Sequence, residues 1–367
     1  MSPVRVCFLS DRLSRAGTES QLLALIRALD QTRVEPSLVL LDGDDDLSRS
    51  LEPAECPVLR LGVKSFASKR ALGAAAAFAR FLRRRQVDVL QAYFLDSIYF
   101  GVPVARIAGV RRIVRVRNNL GYWLNRKHRL LNHVYSKMVH RTLTNSDLGR
   151  EALVAEGVAA HRIAVLENGV DIDRFAGAAP PDTSRDPVRI GTVANLRPIK
   201  NLDLLIRAAA ELIRRHPQVR FEIAGEGEQR GELERLISQL NLGDRVRLLG
   251  AESDVPRFLG SLDIAVLCSR SEGMSNALLE YMAAGRAIVA TRVGAAEKLI
   301  RDGEEGLLVP PNDLPALVSA IDRLLTDSPL ALRVGNAARK RAVADFSRDA
   351  MRRRFEDWYL ELAASMR

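Results

Sequence analysis

Cysteine is scarce. Cys7, Cys56 and Cys268 are the only three in 367 residues, too few and too scattered for a disulfide framework. Cys7 and Cys268 lie inside apolar, strand-like runs, which points to buried thiols in a reducing compartment. No apolar run reaches the roughly 18 residues of a membrane span. The opening MSPVRVCFLS reads as a strand with an arginine inside it, not as a secretory leader. The five histidines, at positions 128, 133, 140, 161 and 216, lack ligand spacing, and HExxH, CxxC and DxD-type pairs are missing. GxSxG elbows and Walker loops are missing too. A dedicated metal site, serine-hydrolase chemistry and P-loop chemistry therefore have no support in the sequence.

Acidic residues are missing from one long stretch. Positions 60–141 hold 18 Lys and Arg against only Asp88 and Asp96, a local balance of +16. Residues 1–170 carry 26 basic and 16 acidic side chains, whereas 171–367 carry 29 of each, so the first half accounts for the whole net charge of +10. Solvated helix side chains explain scattered charges, but they explain an eighty-residue run of one sign poorly. Such asymmetry suits an anionic partner: lipid, nucleic acid or a phosphorylated substrate.

What the chain does contain is ordinary globular usage, 47% apolar and 27% charged, at a length that favours two domains. Short β-rich runs alternate with stretches of helical period. In the first half, 4–10, 36–41, 87–93, 112–117 and 162–167 read as strands, and 19–29, 68–85, 95–108, 125–140 and 146–156 as helices. In the second half, 188–194, 219–225, 246–250, 263–268 and 286–290 read as strands, with helices over 201–215, 228–241, 276–284, 313–326 and 329–344. Strict alternation implies α/β architecture with parallel sheets covered on both faces. AGAAPPDTSRDP at 176–187 is the best linker, which divides the chain into domains at 1–175 and 176–346. A last helix over 347–366 presents Phe355, Trp358, Tyr359 and Leu362 at helical spacing.

In open parallel sheets, ligands bind beyond the carboxyl ends of the strands. After the strand 263–268 comes SRSEGMSN (269–276) and a helix with Ser275 or Asn276 as N-cap and Gly285 beyond its end. A capped crossover helix accounts for most of this. Yet Glu272 sits in the loop, where a carboxylate accepts hydrogen bonds from sugar hydroxyls, and Glu280 follows eight positions on, in reach of a ribose diol. Free amides at that helix start suit a phosphate. GTVANLRPIKN (191–201) places Arg197 and Lys200 three apart after another strand, where two cations neutralise a diphosphate; alone, it is an ordinary basic loop. AGEGE (224–228) and DRLSRAGTESQLL (11–23), in which Thr18 is a possible cap, are weaker phosphate-approaching turns.

Together these segments resemble family 4 of the retaining glycosyltransferases, with two Rossmann-like domains facing across a cleft in the GT-B arrangement. SEGMSNALLEYMAAGRAIVATRVGAAEKLIRDGEEGLLVPPND (271–313) carries the family's E-x7-E pair as Glu272 and Glu280. Arg197 and Lys200 match its R-x-x-K clamp, ENGVDIDRF (167–175) its NGVD segment, and GTE (17–19) its GGxE. The resemblance implies retaining transfer of a hexosyl group from a nucleotide-diphosphate sugar, usually a UDP-sugar, without metal or other cofactor. Glu272, Arg197 and Lys200 are then the catalytic set. Gly17, Asn195, Gly225, Gly227, Gly273, Met274, Ser275, Asn276 and Glu280 surround the donor.

There are departures from the pattern. The usual glycine pair reads Ala16-Gly17, and the histidine many members carry after the fourth strand is replaced by QAYFLD (91–96). With VRVRNNLGYW (114–123), this is similar to bacterial polysaccharide-associated members. Tyr93, Asp96, Arg117 and Asn118 are candidates for acceptor contacts, although Tyr93 and Phe94 also suit simple packing under the sheet edge. The N-terminal domain receives the acceptor in this architecture. Its basic helices, with Lys69, Arg70 and Arg83–Arg85 in one and Arg126, Lys127, Arg129 and Lys137 beside Trp123, Leu130, Leu131 and Tyr135 in the other, suit an anionic membrane surface. The expected partner set is a nucleotide sugar, a glycan or lipid-linked acceptor and that membrane, at the cytoplasmic face. A sugar-nucleotide epimerase of the same architecture and a non-catalytic binder are the alternatives. A nucleic-acid binder lacks any recognised module.

Overall fold

The computed structural model describes residues 2–42, 45–64, 66, 68–118 and 135–364. The chain divides into one unit of Met1–Gly169 with Arg348–Arg367 and a second of Val170–Ser347.

The first unit is built on a parallel sheet of seven strands: β1 (Val4–Ser10), β2 (Val34–Leu40), β3 (Val58–Arg60), β4 (Val89–Ala92), β5 (Arg112–Val116), β6 (Arg141–Thr144) and β7 (Ile163–Val165). Their order is β3-β2-β1-β4-β5-β6-β7. The second unit repeats the scheme with β8 (Arg189–Val193), β9 (Arg220–Ala224), β10 (Val246–Gly250), β11 (Ile264–Leu267), β12 (Ala287–Thr291) and β13 (Leu307–Val309) in the order β10-β9-β8-β11-β12-β13. Both are doubly wound Rossmann-like sheets. Central strands such as β1, β4, β11 and β12 are apolar almost throughout because helices cover both of their faces.

The structure adds elements the sequence pattern did not signal. β3 and β13 are three-residue edge strands, and β6 reads RTLT, with too little apolar content to register. Helices Asp46–Ser50, Val255–Ser261 and Ala296–Leu299 are too short to show a period. Most of the helix expected over 125–140 lies outside the described residues; positions 135–138 are helical.

The unit boundary falls at Gly169/Val170, ahead of the linker read at 176–187. Val170 donates its N–H to the carbonyl of Phe346 (2.8 Å) and bridges to Ser347, so the chain enters and leaves the second unit side by side. Pro and Ala content marked the following turn, where Phe175 is already buried in the core.

The last helix, Arg348–Ala364, returns to the first unit. Met351, Phe355, Tyr359 and Leu362 join the apolar cluster of Val6, Phe8 and Leu22. Glu356, fully buried, pairs with Arg33 (2.6 Å) and Arg352 (3.1 Å) and accepts the N–H of Asp30 (2.9 Å). Deeper still, Tyr359 Oη donates to Gln91 Oε1 (2.9 Å), and Gln91 Nε2 donates to Tyr93 Oη (2.7 Å).

All three members of that chain are buried, so one amide satisfies two phenols. Gln91→Leu strands both hydroxyls, at a cost of about 2–4 kcal/mol. The expected drop in Tm, read by calorimetry, is roughly 5–10 °C; an unchanged Tm contradicts the bridging role.

Candidate functional site

In a doubly wound sheet the loops leaving the two strands at the order reversal diverge and open a crevice. In the second unit those strands are β8 and β11, which pair directly. The loop after β8 carries Asn195, Arg197 and Lys200, and the loop after β11 carries Glu272 to Asn276.

Backbone bonds stitch the two loops together. Arg270 donates its N–H to Ile199 O (2.8 Å), and the buried Cys268 thiol, pushed up to about 12 chiefly by burial, points at Lys200 O and Asn201 O (3.3 and 3.4 Å). Asn201 takes the left-handed conformation, φ +57°, that ends the 3-10 turn Pro198–Lys200 and starts helix Leu202–Arg215. Its amide donates to Asn312 Oδ1 (3.2 Å), an oxygen that Arg270 Nε also reaches (3.2 Å).

On that frame Lys200 Nζ lies 2.5 Å from Glu272 Oε1, and Ser269 Oγ donates to the same oxygen at 2.7 Å. Lys200 and Glu272 are largely buried, so this is a short charge-assisted pair. Arg197, at the N-terminal end of the 3-10 turn, is exposed and makes no side-chain hydrogen bond or ion pair with any described residue. Asn195 is exposed beside it.

Gly225 and Gly227 bring the loop after β9 against the loop after β8. Leu196 donates to Glu226 O (2.9 Å), and Gln229 donates back to Leu196 O (3.0 Å). Gly225 has φ +147°, and a Cβ there sits 1.8 Å from Ala194 O; at Gly227 it sits 2.5 Å from Leu196 O. Backbone approach alone therefore requires both glycines.

The Ser275 hydroxyl caps helix Asn276–Ala283 by accepting the Leu278 N–H (3.4 Å). Gly273 O accepts the Ala295 N–H (2.8 Å), while Met274 turns its side chain into the core. Glu280 is half-buried and accepts no hydrogen bond from any described residue. Burial pushes its carboxyl up to about 7, against the opposing field of Arg174.

Tyr281, which no sequence motif singled out, also shapes the site. Its buried hydroxyl accepts the Val193 N–H (2.8 Å) and meets Thr192 Oγ1 (3.1 Å), fixing the end of β8 from which the Arg197 loop departs. A buried tyrosine beside Glu280 in LLEYMAA was the available signal.

In the first unit the candidates scatter. Gly17 is exposed at the start of helix Gly17–Ala28, whose N-cap is Ala16 with no side-chain bond, so Thr18 lies inside the helix and does not cap it. Tyr93 is only 5% exposed, its hydroxyl held by Gln91, and its ring belongs to the core. Phe94 takes an unusual φ of +61° at the N-cap of helix Leu95–Ala108, and Asp96 is exposed in that helix's first turn. The guanidinium of Arg117 is engaged by both carboxylate oxygens of Glu156. Tyr93 and Asn118 line one small recess with Thr18, Gln21, Asn145 and Asn168; Asp96 and Arg117 do not. Positions 119–134, including Gly121-Tyr122-Trp123, Arg126, Lys127, Arg129, Leu130 and Leu131, lie outside the described residues. Among the described residues no group of three or more His, Cys, Asp or Glu is placed to hold a metal ion.

Residues 15–174 match the model of Glycosyltransferase Family 4, and 179–341 match that of glycosyl transferases group 1. The chain is 33% identical over 196 residues to the lipopolysaccharide core biosynthesis glycosyltransferase LpsE of Rhizobium meliloti, covering 53% of this chain and 54% of that one. It thus spans about half the length of that curated relative. A Campylobacter jejuni relative, an N-acetylgalactosamine-N,N'-diacetylbacillosaminyl-diphospho-undecaprenol 4-alpha-N-acetylgalactosaminyltransferase, is 28% identical over 318 residues, 82% of this chain and 83% of its own. The crystal structure of Anabaena HepE in complex with UDP superposes with a TM-score of 0.84 at 21% identity, covering 98% of this chain and all of that one. At that identity the likeness is one of fold, and the expected GT-B class of two Rossmann-like halves is the class observed.

The desolvated carboxyl of Glu280 makes a pH prediction. Its pKa is higher folded than unfolded, so the native state binds the extra proton between about 4.5 and 7. Stability therefore falls as pH rises through that window. Glu280→Gln removes the penalty: its Tm is expected to exceed wild type at pH 8 and to converge with it near pH 4.5. A gap that does not depend on pH refutes the burial effect.

Proposed function

The chain belongs to the glycosyltransferases, its N-terminal half to Glycosyltransferase Family 4 and its C-terminal half to glycosyl transferases group 1, and from this we propose that it moves a hexosyl group, with retention, from a UDP-sugar to a glycan or lipid-linked acceptor. The observation that carries the reading is the meeting of Lys200 and Glu272 at the strand-order reversal with the unpartnered Arg197 beside them. Two cations and a carboxylate at one crevice match a diphosphate joined to a sugar.

In this reading Arg197 and Lys200 hold the diphosphate, Glu272 accepts hydrogen bonds from the donor sugar, and Glu280 takes the ribose. Backbone amides from Gly273 to Asn276 add donors toward the phosphates, and Asn195, Gly225 and Gly227 flank the nucleotide. The acceptor oxygen attacks the anomeric carbon on the face from which the diphosphate departs. As the new C–O bond forms, the bond to the diphosphate oxygen breaks, and the acceptor's proton passes to that leaving oxygen. The two cations stabilise the charge that develops there, and the step asks for no metal and no protein base. Support for UDP comes from the HepE complex, and support for a lipid-diphosphate acceptor from the name of the Campylobacter relative. Cell-surface polysaccharide synthesis at the cytoplasmic face of an anionic membrane is the corresponding setting.

Thermal shift against UDP-, GDP- and ADP-sugars tests the donor, because saturation at 100 Kd stabilises by about 2.7 kcal/mol. A rise with UDP-sugars alone is expected. Lys200→Ala and Glu272→Ala are each expected to lower transfer by at least about 100-fold; each also lowers Tm by stranding its partner's charge, while circular dichroism at the assay temperature stays native. Wild-type protein that neither transfers nor hydrolyses any nucleotide sugar defeats the reading. Epimerised nucleotide sugar formed without acceptor assigns the site to an epimerase.

A further inference from the structure

Much of the positive charge between residues 60 and 141 serves the fold. Arg60 pairs with Glu52 and Arg117 with Glu156, and Arg85 reaches Glu35 at 3.5 Å. Arg106 donates to Met138 O (2.8 Å) and Arg112 to Leu362 O (3.2 Å), while Arg115 is buried against Thr142 (2.9 Å). Lys69, Arg70, Arg80 and Arg84 are different: each is exposed and makes no side-chain hydrogen bond or ion pair with any described residue. All four lie on helix Lys69–Arg84, which contains no acidic residue.

That helix packs beside helix Leu95–Ala108, and the two flank a shallow groove floored by Ala75, Ala79 and Val104. Ile107 lines that groove, and Leu72 lies one helical turn before Ala76 on the same helix; each is 75% exposed, and they are the two most exposed large apolar side chains among the described residues. Leu72, Ala76, Arg80 and Arg83 recur at spacings of four, four and three, so they form one stripe down the helix. From Leu72 to Arg83 the stripe runs about 16–17 Å. Arg83 reaches across to Ile107 O (3.0 Å) and ties the end of the stripe to the second helix.

A single exposed apolar side chain needs no cover, but two on neighbouring helices beside a groove lined by the unpartnered Arg80 and Arg84 mark a candidate docking face. The cover here has to accept two branched aliphatic side chains and a row of cations with no anion of the protein's own. An anionic bilayer supplies both: acyl chains for Leu72 and Ile107, phosphates for the Lys and Arg. We propose that the face formed by helices Lys69–Arg84 and Leu95–Ala108 docks on an anionic membrane surface, with Leu72 and Ile107 inserted at headgroup depth and Lys69, Arg70, Arg80 and Arg84 on the lipid phosphates. It deepens the lipid-linked acceptor reading by naming the surface that holds the enzyme to the acceptor's membrane. No helix of the described residues is long and apolar enough to cross a membrane.

Co-sedimentation with phosphatidylcholine vesicles, with and without phosphatidylglycerol, tests it at low and high salt. Wild type is expected to bind only vesicles containing phosphatidylglycerol and to be largely released as the Debye length falls from about 30 Å to about 3 Å. Each basic residue removed weakens partitioning about five-fold, so Arg80→Ala/Arg84→Ala loses about 25-fold. Leu72→Ser/Ile107→Ser removes the binding that survives high salt. Arg207→Ala/Arg214→Ala, an equal charge change on exposed residues of the second unit, binds like wild type. The proposal is overturned if wild type ignores phosphatidylglycerol at low salt, if the Arg207/Arg214 pair loses as much as Arg80/Arg84, or if these variants impair only nucleic-acid binding. Because the assay contains no nucleotide sugar, its failure leaves the transfer reading standing, and an inactive enzyme can still pass it.

Discussion

Between β8 and β11 the second sheet reverses its strand order, and the loops leaving those strands have no crossover helix between them to fill the gap. Whatever side chains those loops carry must settle their charges with each other or with a ligand. Lys200 and Glu272 do so at 2.5 Å. A half-buried lysine without a carboxylate, or the reverse, leaves an uncompensated charge, which costs far more than the pair contributes. Much of the surrounding architecture serves this meeting. Glycine at 225 and 227 permits backbone contact, Asn201 turns the chain sharply, and Tyr281 pins β8 from below.

That is also why this half was legible in the sequence. Arg197, Lys200, Glu272 and Glu280 stand in loops directly after strands or on the helix that follows, and the topology alone delivers such positions to one edge. The first half was less legible because its partners are remote. Whether Tyr93 faces a ligand or the core depends on Gln91 and, through it, on Tyr359, 268 residues further along. Arg117 looked available until Glu156 folded back onto it. Short edge strands such as β3 and β13 draw their stability from pairing with a neighbour, which no local pattern records.

Net charge behaves similarly. As a number, +16 over 82 positions treats every arginine alike. Among the described residues the side chains separate into those that bond carbonyls or pair with carboxylates and those that make no such contact with a described residue, and the latter set on helix Lys69–Arg84 lies beside the most exposed apolar residues. The former would be needed in any solvent. The latter are interpretable only with a partner.

Glu272 and Glu280 show how one short segment gives two carboxylates different chemistry. Glu272 shares an oxygen with Lys200 and Ser269, whereas Glu280 is pushed toward neutrality by burial and has only the field of Arg174 against it. On the proposed reading, an incoming diphosphate competes with Glu272 for Lys200. As the ammonium turns to the phosphates, the lone pairs it releases on Glu272 become available to sugar hydroxyls, which with Ser269 replace the lost partner by hydrogen bonds. On that reading, a ribose diol donating to Glu280 supplies hydrogen bonds that no described residue provides, and so favours the ionised form on binding. On the same reading the two glutamates are held in states that a donor completes, and the selectivity for a diphosphate-linked sugar would lie in the pairing of Lys200 and Glu272 rather than in either residue alone.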